Sequence, residues 1–214
     1  MAGRNILILY YSSTGQTHGA LEIVAQVLRE DGHVVEMARI RPVTDFEFPW
    51  KLTTFLRTGL KTYLGMKVSV DLQELPILRD AEAYDYIILG HQPWFLAPSV
   101  PVNSFLDGGM SAVLQGKKII SVVTCRGMWK RGYRIFERKV HARGGRVVLN
   151  FVIEDQLRQP FNMVTTLNYL LTGRDFKGAI LGKIFPPFGI GSRGLQKARN
   201  FAKDLSKQLT AGAL

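Results

Sequence analysis

The residues best suited to chemistry lie near the start of the chain, in the stretch Tyr11-Ser12-Ser13-Thr14-Gly15-Gln16-Thr17. An apolar run, Asn5 to Tyr11, leads into it, and a segment with helical spacing follows, so the hydroxyls fall between a strand and a helix N-terminus. Such a turn suits an anion. The first N–H groups of a helix have no partner within it and lie at the positive end of its dipole, and Ser and Thr add donors without bulk. Gly15 lets the backbone curl around the bound group. The turn lacks the Gly-Lys-Ser/Thr ending of a triphosphate loop and the Gly-x-Gly-x-x-Gly of a dinucleotide loop. The expectation is therefore a single terminal phosphate, held by Ser12, Ser13, Thr14, Gly15, Gln16 and Thr17. The competing reading is a hydroxyl-rich helix cap that binds nothing.

The elements that must position this turn follow from hydropathy patterning. Leu21, Val24, Ala25 and Leu28 share one face of a helix over 17–31 that stops at Asp31-Gly32, and 33–40 alternates as a second strand. A strand, a helix and a strand within about forty residues form a βαβ unit and call for a parallel sheet. Further strands are expected at 84–90, 117–123 and 144–154, separated by helices at 100–114 and in the basic segment after residue 130, with a last helix from Ser192 to about Leu209. The expected fold is α/β, one domain over 1–214, with insertions at about 41–80 and 155–191.

In the first insertion Trp50, Leu52, Phe55, Leu56, Leu60, Tyr63 and Leu64 recur at spacings of three and four, while Lys51, Arg57, Lys61 and Lys67 fall mostly off that stripe. An amphipathic basic helix of this kind lies on a membrane surface or covers an apolar substrate. It is equally the pattern of an ordinary helix with its apolar stripe on the core.

Composition sets outer limits. With 214 residues and 46% hydrophobic content the chain can bury one good core. A single cysteine, Cys125, excludes a disulfide framework and a cysteine-based zinc site, and no metal site is expected. No leader-like segment precedes Asn5, and no apolar run reaches the roughly 18 residues that span a bilayer. The chain therefore reads as cytoplasmic, with peripheral contact to an anionic membrane left open. The net charge of +11 points to anions: a phosphorylated nucleotide, an acidic protein or an anionic lipid surface. Lys130, Arg131, Arg134, Arg138, Lys139, Arg143 and Arg146 concentrate it, and 131, 134 and 138 share a helix face. Nucleic acid is disfavoured, because no recognised binding fold accompanies the charge.

Two other chemistries can be weighed from residue type. Cys125 and His91 fall at strand ends, which raises a Cys–His nucleophile, but no third residue to orient them is identifiable and a lone cysteine is usually a small hydrophobe. Gly189-Ile190-Gly191-Ser192-Arg193-Gly194 has the dinucleotide spacing by letters, yet it follows Pro186-Pro187 in place of a strand and is discounted.

The first turn resembles the signature of the flavodoxins and flavodoxin-like FMN proteins. That signature is an apolar strand ending in an aromatic residue, then Ser/Thr-x-x-Gly-x-Thr, with Tyr10, Ser12, Gly15 and Thr17 in those places. One departure is visible. Where the family usually has a small residue a turn into the helix, this chain has Leu21, which bears on helix packing more than on phosphate contacts. The resemblance implies a doubly wound, five-stranded parallel sheet of order 2-1-3-4-5, with the ligand between the first and third strands where the winding reverses. It also implies that Pro93, Trp94 and Phe95 lie along a flavin ring, and that Thr124, Cys125, Arg126 and Gly127 bound its pyrimidine edge. Arg126, directed at that edge, would stabilise the negative charge of a two-electron-reduced flavin. It is the expected catalytic residue, although the cofactor carries the chemistry.

Flavodoxins that only shuttle electrons are generally shorter and acidic, so the resemblance and the charge together imply an FMN-dependent oxidoreductase. NAD(P)H would be the donor and an apolar acceptor such as a quinone the substrate. Two other functions remain open: an electron carrier with a basic face for an acidic redox partner, and a flavin-free accessory protein. A homo-oligomer is also left open.

Overall fold

The computed structural model of the chain describes residues 3–44, 46, 48–71, 82–155, 157, 160–177 and 181–214, without the side chains of 71, 181 and 183. Parts of both expected insertions, 45, 47 and 72–80 in the first and 156, 158–159 and 178–180 in the second, lie outside the described residues.

Near-continuous apolar runs build the sheet. β1 (Asn5–Tyr10), β2 (Val34–Arg39), β3 (Tyr86–His91), β4 (Lys118–Cys125) and β5 (Arg146–Glu154) pair in the order β2-β1-β3-β4-β5, every ladder parallel. This is the expected 2-1-3-4-5 order. The β4–β5 register shifts between Ile119 and Ile120, where Val148 is the extra residue on β5.

A parallel sheet must be covered on both faces, and the pleat divides the core accordingly. Ile6, Ile8 and Tyr10 of β1 pack with Ile88 and Ile120 beneath α1 (Gln16–Glu30) and the C-terminal helix α6 (Gly191–Ala211). Leu7, Leu9 and Tyr11 pack with Ile87 and Leu89 beneath α3 (Val100–Asp107) and α4 (Trp129–Ala142). The helix expected over 100–114 changes character at Gly108: α3 stops at Asp107, and residues Gly109–Leu114 continue as a 3-10 turn. Thr124 and Cys125, expected in a loop, extend β4.

Two helices stand apart from this frame. α2 (Leu52–Tyr63) lies between two-residue strands, Arg41–Pro42 and Val70–Asp71, which pair antiparallel and close the excursion at its base. α5 (Phe161–Thr172) follows β5. The Trp50 N–H donates to the Leu170 carbonyl at 2.6 Å, joining the two excursions. Both helices are turned inside out. α2 buries Thr58, Gly59 and Thr62 and leaves Leu52, Leu56 and Leu60 exposed. α5 buries Asn162, Thr165, Thr166 and, in its last turn, Leu170, and leaves Phe161, Met163 and Val164 exposed. Of the apolar stripe read from the sequence, Trp50 is buried, but the leucines of α2 do not face the core.

The Leu21 departure has its explanation across the sheet. A methyl group on Gly90 would lie 2.3 Å from Leu21 Cδ1, 3.1 Å from Tyr10 Cβ and 3.2 Å from Thr17 Cγ2. The larger residue on α1 occupies the space that glycine leaves on β3. Gly90→Ala is expected to cost about 1–3 kcal/mol through overpacking, and Leu21→Ala about 2–5 kcal/mol through a cavity. The double variant should be more stable than the sum of the two by at least about 0.5 kcal/mol. Urea unfolding of the four proteins measures this, and strict additivity would show that the two sites do not share volume.

Candidate functional site

The ends of β1, β3 and β4 converge on one buried hydroxyl. Thr17, in the first turn of α1, has its Oγ1 2.7 Å from that of Thr124 at the end of β4, and it donates to Gln92 Oε1, just beyond β3, at 3.2 Å. Both threonines are buried. Ser12 closes the turn from within: its Oγ accepts the His18 N–H at 3.3 Å, while the Arg39 guanidinium donates to its carbonyl at 3.0 Å. Gly15 sits at φ 78°, in the left-handed region that favours glycine. Ser13 is exposed and Thr14 half-buried, and both face the cavity that opens above the turn.

That cavity has a volume of about 690 Å³. Its polar end consists of Ser13, Thr14, Gln16, Thr17, Gln92 and Thr124. Its long wall is a tight hairpin in which Pro93 and Trp94 pair with Pro98 and Ala97. Phe95 and Leu96 form the two-residue turn at φ 45° and 68°, the sign a type I′ turn requires at both positions and an uncommon one for side chains of this size. The turn projects both side chains into the cavity mouth. Gly59 of α2 gives the Phe95 ring its place, since a methyl group there would lie 3.0 Å from the ring. Trp94 packs edge-on against Tyr11, Phe46 and Trp50 at centroid distances of 5.4–5.8 Å, which fixes the hairpin's inner side.

The third wall is the segment after β4. Gly127 takes φ 96° and Met128 φ 52°, turning the backbone into α4. Arg126 lines the cavity with its guanidinium 4.3 Å above the Phe188 ring and its Nε 3.7 Å from Asp155 Oδ2. Burial lowers the Arg126 pKa to about 10 while Asp155 opposes the shift, so the side chain keeps its charge at neutral pH. Phe188 in turn stacks on Tyr169 of α5 at 4.3 Å. Gln16 Oε1 accepts the Ile190 N–H at 3.0 Å, against Gly189 at φ 113°.

The expected site residues therefore come together. All but Ser12 and Gly15 line this cavity, and those two shape the turn beneath it. Trp50, Phe55, Leu56, Leu60 and Tyr63, read from the sequence as a stripe able to cover an apolar substrate, also line it, whereas Gly59 of the first excursion and Asp155, Met163, Thr166 and Phe188–Ile190 of the second were missed. The discounted Gly189-Ile190 contributes through its backbone. The available signal was apolar residues in a Pro-Gly-rich run, Phe185-Pro186-Pro187-Phe188-Gly189-Ile190, with no strand to explain them.

No Cys–His nucleophile is assembled. The His91 Nε2 lies 3.2 Å from Ser121 Oγ, and its ring stacks on Phe136 at 4.0 Å, so its contacts are with these two residues and not with the thiol. Burial pushes the Cys125 thiol up to about 12, which keeps it protonated.

Searched against known proteins, the chain matches no family model and no curated protein. Solved structures match it throughout. A provisionally assigned flavoprotein from Bacteroides eggerthii aligns over 71% of this chain and 89% of its own with a TM-score of 0.56 at 16% identity. A flavodoxin from the domain Archaea aligns over 96% and 99% with a TM-score of 0.53 at 12% identity. Oxidised flavodoxin 2 from Bacillus cereus aligns over 95% and 99% with a TM-score of 0.51 at 17% identity. The fold is flavodoxin-like. In this fold the winding reverses between β1 and β3, and the cavity lies at the carboxyl ends of those strands, where an open α/β sheet holds its ligand.

His91 gives the flavodoxin-like core a pH dependence. Complete burial lowers its pKa from 6.5 to about 3, so between these values the unfolded chain binds a proton that the native state refuses. Stability contributed by the neutral ring is full above about 6.5 and falls as pH drops toward 3, by at most about 1.4 kcal/mol per pH unit. His91→Gln, which cannot take up the proton, should flatten the fall in urea-unfolding free energy between neutral and mildly acid pH. An unchanged slope would assign the acid sensitivity to other groups.

Proposed function

We propose that the cavity holds FMN, and that the protein is an FMN-dependent oxidoreductase taking electrons from NAD(P)H and passing them to an apolar acceptor such as a quinone. The observation that carries this reading is the division of one cavity into a hydroxyl- and amide-lined end at a helix N-terminus and an aromatic remainder. A ligand with a phosphate tail and a flat ring fits that division, and the volume lies in the range of cofactor sites. The flavodoxin-like fold supports the same ligand.

Bound FMN would supply the hydride and electron chemistry. The chain's own residues bind and orient. Ser13, Thr14 and the first N–H groups of α1 receive the phosphate, and Thr17 fixes the turn to the two neighbouring strand ends. Pro93, Trp94 and Phe95 offer an apolar wall to the ring, with the Thr124–Gly127 backbone at its edge. Arg126 brings a positive charge held by Asp155 and Phe188. Exposed Arg131, 5.6 Å above the ring of Tyr63 in the chamber wall, suits a nucleotide phosphate of the donor.

A reductase is favoured over a simple carrier by the two added helices. Leu56, Leu60 and Tyr63 of α2 and Met163 of α5 extend the apolar chamber beyond the strand ends, which gives a second apolar ligand a place. A carrier needs only an exposed ring edge. Adding FMN to the purified protein should quench flavin fluorescence and give a bound visible spectrum. Ser13→Ala with Thr14→Ala should weaken binding by at least about tenfold, the effect of losing hydrogen bonds to a charged group. NAD(P)H should then be consumed faster when a quinone is present. Absence of any quenching rejects the cofactor, and bound FMN without NAD(P)H turnover moves the reading to an electron carrier.

A further inference from the structure

α2 presents Leu52, Leu56, Leu60 and Tyr63 along one edge at spacings of three and four, each between 58% and 65% exposed. α5 presents Phe161, Met163 and Val164, between 45% and 56% exposed. A surface helix normally turns its apolar stripe inward. Here most inward places hold small or polar residues, Leu170 of α5 excepted, and threonine hydroxyls among them bond back to their own helix. Thr62 donates to the Thr58 carbonyl at 2.7 Å, and Thr165 to that of Asn162 at 3.0 Å. Asn162 Nδ2 donates to the Arg126 carbonyl at 2.6 Å, which locks α5 in this rotation. The two apolar edges belong to one surface, because Leu56, Leu60, Tyr63 and Met163 line one cavity mouth together with exposed Phe95 and Met128.

Charge selects the occupant of that surface. Residues 48–69 contain four basic side chains and no acidic one, and residues 126–136 likewise contain four and none. Lys51, Arg57, Lys130, Arg131 and Arg134 are exposed, and Arg131 sits 5.6 Å above the Tyr63 ring, joining the basic face of α4 to the apolar edge of α2. A second copy of this chain, with net charge +11, would bring like charges together at the same face. Nucleic acid would leave the leucines against water. An anionic bilayer satisfies both features, with apolar side chains in the acyl boundary and lysines and arginines at the headgroups.

We propose that the face carrying the cavity mouth docks on an anionic lipid bilayer through the exposed edges of α2 and α5. Among the described residues no helix is long and apolar enough to cross a membrane, and the contact is with the bilayer surface. Docking is independent of bound flavin. Under the reductase reading it places the chamber where an acceptor dissolved in lipid enters without crossing water.

The test is co-sedimentation of the full chain with phosphatidylcholine vesicles, with and without phosphatidylglycerol, in the presence and absence of FMN. Binding is expected with phosphatidylglycerol, at least about tenfold weaker without it, and weakened by salt. Leu52→Ser with Phe161→Ser, both outside the cavity lining, should reduce binding at least about tenfold with the unfolding midpoint unchanged. Arg57→Glu with Lys61→Glu should abolish the preference for phosphatidylglycerol. Failure of the wild type to sediment with any vesicle overturns the proposal, as does binding that both variants retain. A dimer in size-exclusion chromatography that Leu52→Ser with Phe161→Ser dissolves, without vesicle binding, would assign the face to a second copy. Because binding is read with and without FMN, failure of the cofactor reading leaves this result interpretable.

Discussion

The Thr17 hydroxyl is the point on which the site depends. It meets Thr124 and Gln92 at once, so the carboxyl ends of three different strands share one hydrogen-bonded centre. Threonine suits the position for a second reason: its methyl group lies in the space above Gly90, beside Leu21. Removing the hydroxyl would leave the buried Thr124 Oγ1 without this partner, at a cost of about 1–3 kcal/mol. The sheet sets the strand ends side by side, and this centre holds their loops in one arrangement before any ligand arrives.

The roof is attached to that floor by different forces. Gln16 reaches from the first turn of α1 to the Ile190 N–H, which ties the hydroxyl turn to the segment before α6. A stack runs outward from Arg126 over Phe188 to Tyr169, whose ring lies 5.5 Å from that of Phe48. The backbone bond from Trp50 to Leu170 closes the circuit. The excursions at 41–71 and after β5 are thereby one structure in space, although β3, β4, β5 and the helices α3 and α4 separate them in the chain.

The sheet was legible because a parallel strand covered on both faces must be apolar at nearly every position, and Ile6–Tyr10 and Tyr86–Leu89 are. The hydroxyl turn was legible because residue types needed at a helix N-terminus are few. The rotation of α2 was not. Periodicity reports that a helix has an apolar edge but not on which side the core lies, and Leu52, Leu56 and Leu60 give the same pattern either way. What decides it is the steric demand of Phe95, which only the Gly59 side of the helix can meet. The wall formed by Phe188–Ile190 escaped for a related reason: it acts through ring faces and a backbone N–H, and neither leaves a spacing to read.

Arg126 illustrates how the surroundings change the meaning of a charge. Alone, an arginine beside a ring edge would add a positive potential at any distance. Paired with Asp155 at 3.7 Å and pressed on Phe188, it contributes a dipole, whose effect falls off faster than that of a net charge and depends on direction. Burial lowers its pKa to about 10 and the carboxylate beside it opposes that shift, so the side chain stays charged at neutral pH. Asp155 is fixed in turn through its backbone, whose N–H donates to the Cys125 carbonyl at 2.8 Å where β4 ends. The electrostatics at this edge of the cavity are therefore set by the strand register that brings Cys125 opposite Glu154 as much as by the arginine itself.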